Sequence, residues 1–178
     1  MKKIITIDGP AGSGKEKISK YISKKYKLYH IDSGMFYRKL AYKLKKNKIK
    51  TSDKNGIKQM LKKTKILSLK KLNELRDENI GKAASEIAKY EFVRNFVNSQ
   101  QRLTTKNYKK KGGFVIDGRD IGSVVFKKAN LKLYVDVNIN IRAKRRYKQL
   151  IDNGEKSIYL KILKDIKLRD SKDKTRKN

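Results

Sequence analysis

The chain is predicted to be an α/β protein in which a parallel sheet lies between two layers of helices, forming a three-layer sandwich. Short apolar runs alternate along the sequence with longer segments whose apolar residues recur at helical spacing. Three of the apolar runs are followed by an aspartate, namely Asp8, Asp32 and Asp117. Because ligands of parallel α/β sheets bind beyond the carboxyl ends of the strands, these positions are where a site is expected.

Strands and helices alternate through the first part of the chain. In chain order, the predicted elements are a strand at 3–7, a helix at 15–26, a strand at 28–31, a helix at 35–44 and a helix from about 53 to 63. Thr51-Ser52-Asp53 can cap the last of these helices. Residues 65–82 are compatible with either strand or helix.

The second part of the chain continues the alternation. Its predicted elements are a helix at 83–108 bent near Tyr90, a turn at 109–113, a strand at 114–116, a strand at 131–137, a helix at 140–153 and a helix at 158–169. The sequence contains no internal repeat and no linker-like stretch. With 178 residues, we expect one domain over 1–178.

Composition sets further limits. The chain has no cysteine, which excludes a disulfide framework and a thiolate metal site and fits an intracellular protein. The apolar stretch 4–7 is too short for a signal sequence or a membrane span. We therefore expect a soluble, cytoplasmic protein, most simply a monomer.

The formal net charge of +32 suggests a nucleic-acid partner at first sight. However, 39 of the 49 basic residues are Lys, spread over nearly every segment, and only ten are Arg. A diffuse lysine background is not a patch shaped for a polyanion, so no specific nucleic-acid partner is expected. Arg provides a planar fork that Lys cannot replace, which makes each Arg a candidate for a geometric role.

A glycine-rich loop follows the first strand. Its sequence, Gly9-Pro10-Ala11-Gly12-Ser13-Gly14-Lys15, has the GxxxxGK spacing of a P-loop. Glycine backbone N–H groups can converge there on phosphate oxygens, and the next helix begins with its positive end at the same place. Lys15 adds a mobile charge for the β- and γ-phosphates. The flanking strand and helix favour a nucleotide-binding loop over a simple turn.

Glu16 departs from this motif. A Ser or Thr hydroxyl normally binds Mg²⁺ at that position. A carboxylate can also ligate Mg²⁺, directly or through water. Alternatively, Glu16 only complements the positive end of the helix. Both interpretations remain open, and Glu16 is a candidate Mg²⁺ ligand next to ATP.

Three further motifs carry a family resemblance. They are Asp32-Ser33-Gly34-Met35-Phe36-Tyr37-Arg38, the run from Ile116 to Phe126 (IDGRDIGSVVF), and Arg169-Asp170 with Asp173 and Arg176. Together with IDGPAGSGK, they resemble bacterial cytidylate kinases over almost the whole chain. The resemblance implies transfer of the γ-phosphoryl group of ATP to CMP or dCMP, with Mg²⁺ as cofactor and a P-loop kinase fold.

The resemblance also implies an acceptor site. The matching residues are Asp32, Ser33, Arg38, Ser85, Arg94, Arg119, Asp120, Arg169, Asp173 and Arg176. The Arg forks can hold the CMP phosphate in line with the γ-phosphorus of ATP. The carboxylates of Asp120 and Asp173 can accept from the cytosine amino group and the ribose hydroxyls. Ser85 and Arg94 can serve the carbonyl and ring nitrogen of the base.

The basic run that starts at Arg142 resembles the beginning of the family's lid, expected over 140–170. Closure of a lid would exclude water and bring Arg142 and Arg146 to the transferring group, so these two join Lys15 as candidate catalytic residues. A solvated helix face or an RNA-binding patch is the alternative. Asp117 lies at a Walker-B-like place and is a candidate for orienting Mg²⁺-bound water, while a turn role is its alternative. His30, the only histidine, is expected to be a strand residue without chemical duty.

Two further features depart from the family pattern. The segment 39–82 is a reduced version of its monophosphate-binding insertion, and the chain ends at Asn178, where the family pattern continues, so an abbreviated C-terminus is expected. Two other functions remain open: a kinase for another monophosphate such as UMP, and a non-catalytic, basic RNA-associated P-loop protein.

Overall fold

The computed structural model describes residues 3–65, 73–108, 112–152 and 154–175. It divides into two compact units, Met1–Ile31 with Lys110–Asn178 and Asp32–Lys109. The strands are β1 (Lys3–Asp8), β2 (Tyr29–Asp32), β3 (Gly113–Gly118) and β4 (Leu131–Tyr134). The helices are α1 (Lys15–Lys25), α2 (Gly34–Lys46), α3 (Lys54–Lys63), α4 (Glu78–Ile87), α5 (Glu91–Asn107), α6 (Ile139–Asp152) and α7 (Tyr159–Thr175).

The first unit is built on a four-stranded sheet with the order β2-β3-β1-β4. β1 pairs in parallel with β3 on one side and with β4 on the other, so that Asp8 lies opposite Gly118 and Tyr134. Every residue of β3 is buried. Because successive strand residues face opposite sides of a sheet, both faces are covered at β3. The predicted α/β class with a parallel sheet is confirmed.

Helices α6 and α7 of this unit pack through a small apolar cluster. Its buried members are Ala143 and Leu150 of α6 with Ile162 and Ile166 of α7. Tyr147 and Tyr159 meet edge to face beside the cluster, with ring centroids 6.3 Å apart. The two helices therefore pack against each other through one shared apolar cluster.

The second unit is helical. Each of α2, α3 and α4 buries one apolar stripe, as amphipathic helices do, whereas most of the buried residues of α5 are polar. Phe36, Leu40 and Leu44 form the stripe of α2. The predicted cap of α3 is confirmed, because the Asp53 carboxylate accepts from the N–H of Gly56 at 2.9 Å. Asp77 caps α4 in the same way.

Several element boundaries differ from the sequence predictions. The bent helix at 83–108 is two helices, α4 and α5, which are separated at Ala88–Tyr90. The strand predicted to end at residue 137 ends at Tyr134, and the last helix continues to Thr175. A π-helical turn at Ile121–Val125 was not predicted.

Part of the ambiguous segment 65–82 and most of the turn predicted at 109–113 lie outside the described residues. A 3₁₀ helix occupies Asn73–Arg76. Among the residues that the structure describes, no helix is long and apolar enough to cross a membrane.

Candidate active site

The glycine-rich loop connects β1 to α1, as its sequence predicts. Gly12 and Gly14 have φ angles of +72° and +88°, which favour glycine, and Gly14 is the residue directly before α1. A Cβ atom at Gly9 would lie only 2.4 Å from the carbonyl oxygen of Val135. The loop can therefore pass close to the residue that follows β4 only because residue 9 has no side chain.

Lys15 opens α1 at the end of this loop. Its ammonium group donates to the carbonyl oxygen of Pro10 over 3.0 Å, so the side chain turns back across the loop. An ammonium group placed there lies where phosphate oxygens would be held by the loop amides. The candidate donor-binding residues Gly9 to Lys15 thus form the connection from β1 into the first turn of α1.

Glu16 lies in the first turn of α1. Its carboxylate pairs with the ammonium group of Lys20 one turn later, at 2.5 Å, and both side chains are about half exposed. An acidic residue in the first turn complements the helix dipole. This placement supports the helix-terminus interpretation of Glu16, and its role as a Mg²⁺ ligand stays a prediction.

Arg142 is buried at the start of α6, and three of its nitrogens have acceptors. Nε donates to the carbonyl oxygen of Val137 at 2.8 Å, and Nη1 donates to that of Ala11 at 3.2 Å. Nη2 donates to the carboxylate of Asp170 at 2.6 Å. The guanidinium thus joins α6 to the phosphate loop and to α7.

Two other arginines of α6 are placed differently. Nη1 of Arg145 lies 3.6 Å from the position that a Cβ atom would take at Gly14. Arg146 donates to the side-chain oxygen of Gln149 at 3.0 Å. Among the described residues, Arg145 therefore comes near the end of the phosphate loop, although the sequence had pointed to Arg146.

Asp117 lies one residue before the end of β3 and is buried. Its Oδ1 is 2.6 Å from Nε2 of His30 in β2. Asp117 is opposite Ile7, directly before the strand residue Asp8 that leads into the phosphate loop. His30 is a strand residue, as predicted, and its ring also contacts the Walker-B-like carboxylate.

Asp8 ends β1 and holds the segment that follows β3. Its two carboxylate oxygens accept from the backbone N–H groups of Ile121 and Gly122, both at 2.8 Å. Burial raises the pKa of Asp8 above its ordinary value of 3.8, although these two N–H groups act in the opposite direction. Asp120 raises this pKa further, and Lys15 lowers it.

Part of the predicted acceptor set lies in the same unit. Nη1 of Arg119 is 3.0 Å from Oδ2 of Asp173 in α7, and both side chains are largely buried. Asp120 directly precedes the π-helical turn. Arg169 is exposed on α7, and Arg176 lies outside the described residues. The structure thus brings Arg119 and Asp173 together from sequence positions more than fifty residues apart.

The remaining acceptor candidates belong to the second unit. Oδ1 of Asp32 accepts from the N–H of Gly34 at 2.8 Å, and the buried Ser33 directly precedes α2. Arg38 of α2 donates to the carbonyl oxygens of Leu75 and Asp77, at 2.6 Å and 3.3 Å. Arg38 therefore ties α2 to the beginning of α4.

Ser85 and Arg94 flank the other end of α4. Ser85 is exposed on that helix, while Arg94 of α5 is buried. Nη1 of Arg94 donates to the carbonyl oxygens of Ala88 and Lys89, at 3.2 Å and 2.8 Å. A cation at these carbonyls complements the negative end of α4. Arg38 and Arg94 thus hold opposite ends of the helix that carries Ser85.

No group of three or more His, Cys, Asp or Glu side chains that could cage a metal ion occurs among the described residues. Mg²⁺ in kinases is commonly bound by one or two carboxylates together with nucleotide phosphates. Asp117, one residue before the end of β3, and Glu16, in the first turn of α1, stay the predicted carboxylate ligands of Mg²⁺.

Comparison with known proteins identifies the family of this chain. A family model described as cytidylate kinase matches residues 5–178. The chain belongs to the cytidylate kinase family. The cytidylate kinase of Bartonella tribocorum is 40% identical over 177 residues, which cover 98% of this chain and 79% of the relative. That of Rickettsia akari is 40% identical over 173 residues, covering 97% and 76%.

A solved structure from Thermus thermophilus also matches, with 16% identity and a TM-score of 0.46 over 98% of this chain and 85% of that one. The family relationship rests on the sequence matches. It confirms the resemblance seen in the motifs and makes the protein a member of a family of kinases.

Sequence reasoning missed three contacts of this cytidylate kinase family member. They are the clamp of Asp8 on the turn after β3, the contact of His30 with Asp117, and the approach of Arg145 to Gly14. Helical spacing could have indicated Arg145, because it lies three residues after Arg142 and residues at that spacing share a helix face. The other two pair residues far apart in the chain and left no local pattern.

Proposed function

We propose that the protein transfers the γ-phosphoryl group of ATP to CMP or dCMP and releases ADP with CDP or dCDP. One observation carries the proposal: the sequence matches the cytidylate kinase family over residues 5–178, and the strand that leads into the phosphate loop pairs with the strand that leads to Arg119. The loop end at Asp8 and the segment before Arg119 are adjacent strand ends, since Asp8 lies opposite Gly118.

On the donor side, the loop from Gly9 to Gly14 would hold the triphosphate with backbone N–H groups that follow Pro10, and Lys15 would follow the β- and γ-phosphates. Positive charge at this position stabilises the charge that spreads over the phosphoryl oxygens during transfer. Arg145 and Arg146 on α6 extend that charge if the region 140–170 closes as a lid. Arg142 supports the lid from its base, because its nitrogens bind Ala11, Val137 and Asp170.

On the acceptor side, we assign the CMP phosphate and nucleoside to two groups of residues. The first group, Arg119, Asp120, Arg169, Asp173 and Arg176, is assigned from the family resemblance. The second group, Asp32, Ser33, Arg38, Ser85 and Arg94 within or next to the reduced insertion at 39–82, is assigned in the same way. Guanidinium forks would fix the attacking phosphate oxygen in line with the γ-phosphorus.

Mg²⁺ would be held by Asp117, by Glu16 and by the ATP phosphates, and it would neutralise charge on the transferring group. A general base is not required, because the acceptor is a phosphate whose second pKa is about 6 and which is largely ionised near neutral pH. We propose a cytoplasmic location, since both substrates are soluble nucleotides, and a monomer as the simplest assembly.

A coupled assay of ADP release on the purified chain tests this function. With ATP and Mg²⁺, turnover is expected with CMP and dCMP and little with UMP or AMP. Lys15→Ala should lower turnover at least about a hundredfold, the loss typical of one removed charge-stabilising donor. Lys24→Ala, exposed in the last turn of the same helix, is the matched control.

Two outcomes would contradict the proposal in different ways. A preference for UMP would support phosphoryl transfer to a monophosphate and contradict the proposed specificity for CMP and dCMP. No turnover with any monophosphate, together with tight RNA binding that weakens steeply as salt rises, would favour an RNA-associated protein.

A further inference from the structure

Asp8 lies directly before the phosphate loop, and its side chain contacts the residues that follow Arg119 and Asp120. It is the last residue of β1, and its side chain is largely shielded from solvent, with the whole residue 8% exposed. Oδ1 accepts from the N–H of Ile121 and Oδ2 from that of Gly122, each at 2.8 Å. The two oxygens of one buried carboxylate therefore accept hydrogen bonds from two consecutive backbone amides.

A second contact, at Gly122, keeps the residues after Asp120 close to β1. A Cβ atom at Gly122 would lie 2.6 Å from Oγ1 of Thr6, a distance that real Cβ contacts do not reach. The backbone adds a further link, because the N–H of Gly9 donates to the carbonyl oxygen of Gly118 at 3.2 Å. The chain from Gly118 to Gly122 is thus fixed to β1 at both of its ends.

Arg119 and Asp120 are the two residues between these fixed points. Arg119 reaches Asp173 of α7, and Asp120 begins the π-helical turn. Asp120 and Lys15 both act on the pKa of Asp8, so one acceptor candidate and one donor candidate lie within electrostatic range of its carboxylate.

We infer that Asp8 is a positioning residue, which sets the place of Arg119 and Asp120 relative to the phosphate loop. The inference rests on the proposed function, in which these two residues bind the monophosphate. Asp8 itself touches neither substrate in this role. It acts through the amides of Ile121 and Gly122, and its loss should disturb the acceptor more than ATP.

Asp8→Asn is the most selective change. A carboxylate offers acceptors on both oxygens, whereas an amide offers one acceptor and one NH₂ donor. The NH₂ group would face a backbone N–H, which leaves two donors opposed and one hydrogen bond lost. The start of the turn should then move away from β1, carrying Arg119 and Asp120 with it.

The test is steady-state kinetics with each substrate varied in turn. For Asp8→Asn we expect KM for CMP to rise about tenfold or more, which corresponds to one lost charge-assisted hydrogen bond. KM for ATP should stay within about twofold of the wild type, because the amides of the loop do not bind this carboxylate. Hydrogen exchange should quicken in peptides that cover 119–125.

Two further variants keep the test decisive. Glu91→Gln removes one exposed negative charge in the first turn of α5 and should leave both KM values and the exchange of 119–125 unchanged. Gly122→Ala forces the same turn away from Thr6 without altering Asp8, and it should give the same selective rise in KM for CMP. If Asp8→Asn does not fold, Gly122→Ala carries the test.

The outcomes separate this role from the function itself. Unchanged kinetics in a folded Asp8→Asn, or equal losses for CMP and ATP, would overturn the positioning role while the kinase function stands. A wild type that binds ATP and shows no turnover with CMP would overturn the function and this role together.

Discussion

Arg142 and Asp170 form a buried ion pair with 2.6 Å between Nη2 of the arginine and Oδ2 of the aspartate. The pair joins the start of α6 to α7, and the same guanidinium also donates to the phosphate loop at Ala11. A guanidinium that serves three acceptors in a buried place is held rigidly. The base of the proposed lid is therefore fixed to the loop that it would cover.

Arg142→Ala should destabilise the protein strongly. It leaves the Asp170 carboxylate buried without its cation, a change that costs about 3–5 kcal/mol in comparable pairs. Urea unfolding measures the loss. The double variant Arg142→Ala with Asp170→Ala should lose less than the sum of the single variants, because the second change removes the unpaired charge.

Arg145→Ala is the matched control for this prediction. Arg145 lies on the same helix and is exposed, so its removal should change the free energy of unfolding by about 0.5 kcal/mol or less. If Arg142→Ala were no more destabilising than Arg145→Ala, Arg142 would not be an anchor, and a direct role at the phosphates would gain support.

Arg119→Lys should weaken the use of CMP selectively. One ammonium group can keep the ion pair with Asp173 but cannot also provide a bidentate fork to a phosphate. We expect kcat/KM for CMP to fall about tenfold to a hundredfold, as for the loss of one charge-assisted hydrogen bond. KM for ATP should change by less than about threefold, measured with each substrate varied in turn.

Arg102→Lys makes the same substitution at an exposed position on α5 and should leave both KM values as they are. If Arg119→Lys impaired the use of CMP and of ATP equally, Arg119 would support the fold in general and would not belong to the acceptor site.

The phosphate loop was predictable because its signals are local. A β-branched run, glycines at fixed spacing and a following helix lie within about twenty residues, and the structure has the strand, the loop and the helix there. The cap of α3 was predictable for the same reason, since Asp53 and the N–H that it accepts from are three residues apart.

The features that the sequence did not predict either join distant parts of the chain or lie where no local signal marks them. The π-helical turn after β3 depends on Asp8, which is 113 residues from Ile121. The break between α4 and α5 contains neither Pro nor Gly, and there the Arg94 guanidinium binds the carbonyl groups of Ala88 and Lys89. Arg142 was assigned to phosphates because its basic run resembles the family's lid, whereas Asp170 and Ala11, far away in the sequence, are among its partners.

Glu16→Ser is expected to keep or raise Mg²⁺-dependent turnover. It restores the hydroxyl that a P-loop normally presents to Mg²⁺ and removes a negative charge beside the triphosphate. The ion pair with Lys20 is about half exposed, so its loss should cost only about 0.3–0.5 kcal/mol. The measurement is turnover against Mg²⁺ concentration.

Lys20→Ala breaks the same ion pair without changing residue 16 and shows how much the pair itself contributes. A large loss of turnover in Glu16→Ser, with Lys20→Ala unaffected, would show that the carboxylate is an adapted ligand for the metal.

The cap of α4 should give the protein a measurable pH dependence. The N–H groups of Ile80 and Asn79 hold the pKa of Asp77 below its ordinary value of 3.8. A lowered pKa means that the charged form stabilises the fold above pH 3.8 and that this contribution is lost as the pH falls through the lower, folded value. Asp77→Asn keeps the cap and removes the titration.

The melting temperatures of wild type and Asp77→Asn should therefore differ most near neutral pH, with the wild type higher. The difference should shrink as the pH is lowered below about 4. A difference that grows under acid conditions would contradict the assigned direction of the shift. Because other groups titrate equally in both proteins, the comparison isolates Asp77.

His30→Leu should destabilise the strand end that carries Asp117. The Asp117 carboxylate is buried, and Leu cannot replace the ring nitrogen that lies 2.6 Å from its Oδ1. A buried acceptor deprived of a partner costs about 1–3 kcal/mol, which urea unfolding can resolve. His30→Gln retains an NH₂ donor and should lose less. If both variants were as stable as the wild type, the contact would be incidental. If His30→Leu also required more Mg²⁺ for half-maximal turnover and His30→Gln did not, the histidine would orient Asp117 toward the metal, since the two variants differ in that donor.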